Sequence, residues 1–303
     1  MSASARPTPT VSLRCGDNTA RISPIGACLD HMLVNGAELI QQFPEGTARP
    51  FSAGALLAPW PNRIRDGRWT QQGQTHELAI TEPARNNAIH GLVTGRLFEV
   101  SDQSETSVTL EYAIDPTPGY PFSLRLTVRY ELNNQGIECS MSLLNRGYAS
   151  APVALGAHPY ITLGETPIRS LTISAPVVSL LITDTQMIPV AEEGIAGSNV
   201  DISSPISLKN LELDTGFRLG GAVPHVTTIE SPAGKTVTVW QSEEFGWLQV
   251  FVTDEFPGPT GPTSALAIEP MTAPADAFNS GTDLKWLDPG ESWGGRWGIS
   301  LSE

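Results

Sequence analysis

The stretch from Ser123 to Asn145, SLRLTVRYELNNQGIECSMSLLN, decides the fold class of this chain. Apolar side chains occupy every second position on both sides of the sequence NNQG, from Leu124 to Leu132 and again from Ile137 to Leu143. A period of two residues is typical of strands that bury one face, and Asn and Gly are favoured in turns. The stretch therefore predicts an antiparallel β-hairpin with one face turned to water.

Similar alternation extends in both directions along the chain. Val108 to Ile114 predicts a third strand beside the hairpin, and residues 67–78, GRWTQQGQTHEL, predict a small hairpin around Gly73. Residues 236–241 and 247–253, TVTVWQ and WLQVFVT, predict another adjacent pair of strands. No stretch of about twelve residues has the apolar spacing of an amphipathic helix. The sequence predicts an all-β domain, a sandwich of many antiparallel strands with helix limited to short turns.

Composition restricts the possible partners. The formal net charge is −14, which argues against nucleic acid and against anionic membrane surfaces, since both require basic patches. The three cysteines, Cys15, Cys28 and Cys139, are widely spaced and contain no CxxC pair. They predict reduced thiols in a cytoplasmic protein rather than disulfides or a zinc site.

The domain organisation is predicted to be simple. Residues 1–10 are polar, contain proline and lack the apolar segment of a secretory signal, so we expect a flexible tail there. No run approaches the roughly 20 apolar residues of a membrane span. Residues 11–303 are predicted to form a single domain, present as a monomer or a homodimer.

Four stretches carry polar residues that turn formation does not explain. They are APWPNRIRDGRW with Asn62 and Arg63, NNAIHGLV with His90, ALGAHPYITL with His158, and SALAIEP with Glu269. Each alone is compatible with a solvated arginine or a core histidine. Together, two histidines and one carboxylate interrupt apolar, strand-like segments. Histidine titrates near neutrality and a buried glutamate has a raised pKa, so this combination suits proton transfer at neutral pH.

Glu269 is the most unusual of these residues, because it directly follows the buried strand Ala265 to Ile268. A carboxylate is costly to bury unless it is paired or used in chemistry. We expect Glu269 to end the strand at a cleft, with Pro270 turning the chain out of the sheet. No serine-nucleophile, phosphate-loop, dinucleotide or HExxH motif is present in the sequence, so neither a cofactor nor a metal is expected.

Five motifs in this order and spacing resemble the aldose 1-epimerase (galactose mutarotase) family: PWPNRIRDGRW, NNAIHGLV, GAHPYITL, LELDTGF and AIEPMTAPADAFNSG. The resemblance runs from about residue 22 to about residue 298. It implies a galactose mutarotase-like β-supersandwich. It also implies interconversion of the α and β anomers of a free hexose, without a cofactor, by acid–base opening of the sugar ring.

The resemblance also implies roles for individual residues. Glu269 matches the catalytic base and His158 the general acid. The implied sugar-binding residues are His90, Arg63, Asp214 and Asn62. Around His158 and after His90 the sequence departs from the better-known galactose mutarotases, which leaves the identity of the sugar open.

Three other functions stay open at this point. The first is a mutarotase for a phosphorylated or sulfonated hexose, with extra cations from Arg65, Arg68, Arg85 or Arg96. The second is a non-catalytic carbohydrate-binding β-sandwich that stacks a sugar on Trp60, Trp69, Trp240 or Trp247, although it would need neither Glu269 nor His158. The third is a glycosidase using Asp214 and Glu269, which would leave the histidines unexplained.

Overall fold

The computed structural model describes residues 10–44, 46–258 and 260–302. The predicted tail, residues 1–10, lies outside the described residues except for Thr10, which is exposed. Within the described ranges, no helix is long and apolar enough to cross a membrane.

The described residues form 27 strands, four three-residue 3-10 turns and one short α-helix. The first strands are β1 Val11–Cys15, β2 Asn18–Ser23, β3 Cys28–Val34, β4 Ala37–Glu38, β5 Leu56–Leu57, β6 Arg63–Ile64, β7 Arg68–Gln71, β8 Gln74–Glu77, β9 Ala88–Ile89, β10 Glu99–Gln103, β11 Ser107–Ile114, β12 Leu124–Leu132 and β13 Gly136–Asn145. The remaining strands are β14 Ala151–Val153, β15 Gly156–Ala157, β16 Tyr160–Ile161, β17 Thr172–Ser174, β18 Val177–Thr183, β19 Pro189–Gly194, β20 Ile206–Ser207, β21 Asp214–Leu219, β22 His225–Glu230, β23 Thr236–Gln241, β24 Trp247–Gly258, β25 Gly261–Met271, β26 Lys285–Leu287 and β27 Ser292–Ser302. The helical segments are Pro50–Ser52, Arg65–Gly67, Ile168–Ser170, Leu208–Asn210 and α1 Ala277–Ser280.

Two large antiparallel sheets dominate the architecture. The first has nine strands in the order β10-β11-β12-β13-β27-β23-β22-β17-β20. The second has eight, in the order β19-β18-β21-β24-β25-β15-β5, with β16 also paired to β25. A four-stranded sheet, β1 to β4, and the pairs β14–β26, β6–β9 and β7–β8 complete the fold. The all-β prediction is confirmed, and helix is limited to short segments.

The hairpin predicted around NNQG is present as β12 and β13. Leu132 lies opposite Ile137, and Val128 lies opposite Met141, in an antiparallel register without interruption. The predicted third strand, β11, pairs with β12 along its whole length. The small hairpin predicted around Gly73 is also present, as β7 and β8.

The prediction that residues 236–241 and 247–253 form an adjacent pair is wrong. β23 lies between β22 and β27 in the nine-stranded sheet, whereas β24 lies between β21 and β25 in the eight-stranded sheet. The chain crosses between the sheets at residues 242–246, and the buried amide of Gln241 donates to the backbone oxygens of Phe245 and Trp247 at 2.5 and 2.9 Å. Alternation reveals which face a strand buries, but not which strand it pairs with.

The core is shared by both large sheets and is continuous. Leu248 and Val250 of β24 and Ile268 of β25 belong to the same buried cluster as Leu126 and Val128 of the nine-stranded sheet. Burying each such side chain contributes roughly 1.5–3 kcal/mol. Because side chains alternate along a strand, the residues between these core positions project from the opposite face of the eight-stranded sheet.

The expected end of the strand at Glu269 is wrong as well. β25 continues to Met271, with Pro270 opposite Leu248 and Met271 opposite both Trp247 and Gly156. A proline removes only one hydrogen-bond donor, so neighbouring residues can continue the pairing. Glu269 therefore lies inside a paired strand, which fixes its position more firmly than a strand end would.

Candidate active site

One face of the eight-stranded sheet collects a group of polar and aromatic side chains. Glu269 lies opposite Gln249, and Phe251, two residues further along β24, lies opposite Asp214. Tyr160 lies opposite Ala267, two residues before Glu269. Opposed residues share a face of the sheet, as do residues two apart in one strand. The register therefore places all five side chains on the face turned away from the core.

Loops bring the two histidines over this face. His158 lies between β15 and β16, where its backbone nitrogen donates to Ala55 and its oxygen accepts from Gly54, at 2.9 and 2.8 Å. His90 follows β9 with a positive φ of 64°, and its backbone nitrogen donates to the oxygen of Asn62 at 2.9 Å. At the next residue, Gly91, a Cβ atom would stand 2.1 Å from the oxygen of Ala58, so only glycine fits there.

All six residues predicted as site residues line a single cavity of about 370 Å³. That volume is in the range of small-molecule sites, roughly 300–1,000 Å³. They come from five separate segments of the chain and are Asn62, Arg63, His90, His158, Asp214 and Glu269. The structure brings together what the sequence keeps far apart.

In the cavity lining, a histidine faces a carboxylate. Nε2 of His158 lies 3.4 Å from Oε1 of Glu269, and both side chains are buried. The His90 ring stands perpendicular to that of His158, with 5.3 Å between the ring centroids, and Tyr160 stacks on His158 at 5.2 Å. Proton transfer requires heavy atoms close to hydrogen-bonding distance, and this pair is near enough for it.

Several polar atoms in this group are buried without a partner. Within the described part of the chain, Oε2 of Glu269, Nδ1 of His90, Nδ1 of His158 and the hydroxyl of Tyr160 have no hydrogen-bond partner. An unpaired buried polar group costs about 1–3 kcal/mol. All four atoms belong to residues that line one cavity, and such a concentration of unpaired polar atoms is unusual for a packed core.

Burial shifts the acid–base behaviour of these groups. It raises the pKa of Glu269 well above the usual range for a glutamate, and the Asp214 carboxylate raises it further. Burial lowers the pKa of His158 to about 4. It also lowers the pKa of His90 well below the usual histidine value, with the charges of His158 and Arg63 adding to the effect. At a pH above the pKa of His158 and below the pKa of Glu269, the two side chains together hold one titratable proton.

A hydrogen-bonded chain runs along the wall of the cavity. Arg63 donates to both carboxylate oxygens of Glu82, at 2.9 and 3.0 Å. Asn62 accepts from the backbone of Arg63 at 2.9 Å, and its amide reaches Gln249 at 3.4 Å. Gln249 in turn donates to Asp214 at 2.6 Å. Burial alone would raise the pKa of Glu82, but hydrogen bonds led by that of Arg63 lower it. The chain holds the Arg63 and Asp214 side chains in fixed orientations.

The sequence analysis missed part of the lining, namely Phe51, Glu82, Tyr160, Gln249 and Phe251. Gln249 had a usable signal, since it interrupts the apolar strand WLQVFVT as Glu269 interrupts its own. Trp60, Trp69 and Trp247 are buried and Trp240 is half-buried, and no tryptophan of the described ranges lines this cavity, so a sugar bound in it would not stack on tryptophan. Among the described residues, no group of three or more His, Cys, Asp or Glu side chains is arranged to hold a metal ion.

Comparisons with known proteins agree with this geometry. The model of a family described as aldose 1-epimerase matches residues 9–300. The uncharacterized protein YihR of Escherichia coli strain K12 is 30% identical over 283 residues, which are 93% of this chain and 90% of that protein.

Solved structures share the fold at low sequence identity. A GalM/aldose epimerase homologue from C. elegans has a TM-score of 0.85 and 18% identity, covering 97% of this chain and 99% of that one. Galactose 1-epimerase from Lactobacillus acidophilus NCFM has a TM-score of 0.82 and 18% identity, covering 100% and 98%. The fold is therefore galactose mutarotase-like. From the match over nearly its whole length, the chain belongs to the aldose 1-epimerase family, isomerases that interconvert the anomers of aldoses.

Proposed function

We propose that this protein interconverts the α and β anomers of a free aldohexose, with Glu269 as the base and His158 as the acid. The observation that carries the proposal is the 3.4 Å contact between these two side chains. It lies in a cavity whose lining residues carry unpaired, buried polar atoms. A non-catalytic sugar-binding site would need no such pair.

The proposed reaction needs one proton accepted and one donated. The Glu269 carboxylate removes the proton from the C1 hydroxyl while His158 donates a proton to the ring oxygen. The bond between C1 and the ring oxygen breaks, and C1 becomes an aldehyde. Rotation about the bond between C1 and C2 and reversal of both proton transfers close the ring on its other face. The shifted pKa values place the pair's single proton on Glu269 at rest, so this proton first passes to His158 across the 3.4 Å contact and leaves the carboxylate and imidazolium that the step requires. The pair starts and ends with one proton, so no external acid or base is consumed.

The binding residues have complementary roles in this proposal. Asp214 accepts hydrogen bonds from sugar hydroxyls, and Gln249 holds its carboxylate in place. Arg63 donates to sugar oxygens from a guanidinium fixed by Glu82, with Asn62 beside it. His90 is neutral at physiological pH, so it can donate and accept hydrogen bonds without placing a second charge beside the acid.

The test is polarimetry, or NMR exchange between anomers, across a panel of neutral and anionic aldoses. We expect a catalytic amount of protein to accelerate equilibration of at least one neutral aldohexose above the spontaneous rate. A panel in which no aldose equilibrates faster would overturn the proposal.

The three cysteines are free thiols, which supports placing the activity in the cytoplasm.

A second candidate function, mutarotation of a phosphorylated or sulfonated hexose, is favoured by one observation. Of the four arginines suggested as extra cations, only Arg85 lines the cavity. Arg85 and Arg63 both donate to Glu82, so two guanidinium groups share one carboxylate. The excess positive charge gives this part of the wall an affinity for an anionic substituent.

The two candidates predict different effects of Arg85→Gln. If the substrate is anionic, we expect KM for the anionic hexose to rise about tenfold or more, because a charge-assisted hydrogen bond is lost. KM for a neutral hexose should change far less. Arg68→Gln is the matched control, since Arg68 is exposed, pairs with Glu77 and lies outside the cavity lining. An equal effect of Arg85→Gln on both sugars would contradict a role in charge recognition.

The pH dependence of the reaction follows from the shifted pKa values. The pair needs one proton, so kcat/KM should be bell-shaped. At a pH below about 4, kcat/KM decreases, because His158 and Glu269 both become protonated and the base is lost. It falls again on the alkaline side, above the raised pKa of Glu269, where the pair loses its only proton. Initial rates corrected for buffer catalysis measure both limbs. An acidic limb at the ordinary histidine value, roughly 6.5, would contradict this assignment.

A further inference from the structure

We propose that Phe51 and Phe251 form an apolar wall of the cavity and that the substrate pyranose lays a C–H-bearing face against them. This inference rests on the proposed function and identifies how the sugar is oriented. Both phenylalanines line the same cavity as the acid–base pair. Their ring centroids lie 6.2 Å apart with the planes inclined by 57°.

Phe251 brings the aromatic wall close to the groups that grip hydroxyls. In the register of the eight-stranded sheet it lies opposite Asp214 and two residues from Gln249, on the same face. A sugar that donates hydroxyl hydrogens to Asp214 is therefore within reach of the Phe251 ring. An aldopyranose has two or three axial hydrogens on one face and polar hydroxyls around its rim, which matches an apolar wall flanked by polar groups.

Phe51 is exposed although other aromatic rings surround it. The side chain is 46% exposed, yet it contacts Phe251 and, at 6.3 Å between centroids, Phe256. Exposed large aromatic groups at a cavity are expected where a ligand covers them. The ring at this position has more open surface than packing within the protein requires.

The backbone at Phe51 is held in an unfavourable conformation. Phe51 has φ 43° and ψ 38°, and Ser52 also has a positive φ, of 56°. Bulky residues are strained in this left-handed region and persist there only when their surroundings enforce the conformation. Here Arg49 enforces it, because its guanidinium donates to the oxygen of Ala53 at 2.5 Å and pairs with Asp30 at 2.7 Å. The strained backbone at Phe51 holds an exposed ring at the cavity, which points to a role for this residue in binding rather than in folding.

The segment is also tied to the acid. The residue after Ala53, Gly54, donates from its backbone nitrogen to the oxygen of His158 at 2.8 Å. The backbone of Ala55, in turn, donates to Ser52 and accepts from His158, both at 2.9 Å. The backbone beside Phe51 is therefore hydrogen-bonded to the backbone of His158, so one network positions both the wall and the acid.

The experiment replaces Phe51 with Asn, which tolerates the left-handed backbone but removes the ring. We expect KM for the preferred sugar to rise about tenfold with kcat changed less than about threefold, because the wall contacts ground and transition states alike. The melting temperature should stay the same or rise. Phe51→Tyr, which keeps the ring, should raise KM less than Phe51→Asn. Leu97→Asn is the control, since Leu97 is an exposed apolar residue that does not line the cavity.

A second measurement keeps the inference testable if the variant folds poorly. Saturation-transfer NMR on the parent protein, with aromatic protons irradiated, should label the ring hydrogens of one sugar face more strongly than those of the other. Uniform labelling of the sugar, or an unchanged KM in Phe51→Asn, would overturn the proposal that the sugar packs against this wall. The proposed function can fail separately. A sugar that binds with one-sided labelling, but whose anomers are not equilibrated, would support the apolar wall and contradict the proposed catalysis.

Discussion

Glu269→Gln is expected to lower kcat by roughly 10²- to 10⁴-fold, the usual effect of removing a positioned acid–base group. The amide has the shape of the carboxyl group but cannot accept the C1 hydroxyl proton. KM should change little, because the amide still hydrogen-bonds the sugar. Polarimetry on the sugar that the parent prefers measures both constants. Glu212→Gln is the matched control, since Glu212 is an exposed glutamate that pairs with Arg169 outside the cavity lining. A variant that equilibrates the anomers at the parent rate removes Glu269 from the mechanism.

The same substitution should make the protein more stable at neutral pH. Burial raises the pKa of Glu269 in the folded state above its pKa in the unfolded state. The contribution of Glu269 to stability is therefore fully present below the unfolded-state pKa, and it is lost as the pH rises toward the folded-state pKa. The glutamine amide of the variant does not titrate, so this loss disappears. We expect the variant to melt at a higher temperature than the parent protein at neutral pH, and the difference to be smaller near pH 4. A melting temperature that falls at neutral pH would contradict a destabilising buried carboxyl group.

His158→Asn is expected to lower kcat by a similar factor, roughly 10²- to 10⁴-fold. Asparagine keeps a polar group but cannot deliver a proton to the ring oxygen. The double variant with Glu269→Gln should lose less than the product of the two single losses, because both residues act on one ring-opening step. His225→Asn is the matched control, because His225 is also buried but lies outside the cavity lining. Single losses that multiply fully in the double variant would indicate two independent roles.

The sequence predicted those parts of the structure that depend on a local pattern. The hairpin of β12 and β13 followed from alternation and a turn sequence, both of which are properties of neighbouring residues. The pairing of β23 and β24 was predicted wrongly because strand partners depend on how the chain crosses between sheets. Pro270 was expected to end β25, but pairing on both sides of it outweighs the loss of one donor.

The candidate site was predictable to a similar extent. Asp214 was named only from the resemblance to the aldose 1-epimerase family, whereas His90, His158 and Glu269 stood out because they interrupt apolar segments. Gln249 had that signal and was overlooked. Phe51 had none, since an exposed phenylalanine in a loop is not distinguishable in sequence from a buried one. Its position depends on the strained backbone and on the Arg49–Asp30 ion pair, which only the folded chain shows.

The placement of Glu269, Gln249 and Asp214 within paired strands has an evolutionary consequence. A one-residue slip of β25 would put Glu269 into the core and a core residue into the cavity, so an insertion or deletion there would remove Glu269 from the candidate site. Arg85, in contrast, lies outside the strands, in the loop before β9, which can change length or sequence without disturbing that register. Under the proposed function, substitutions at such loop positions would change which sugar is bound, while Glu269, Gln249 and Asp214 keep their places in the sheet.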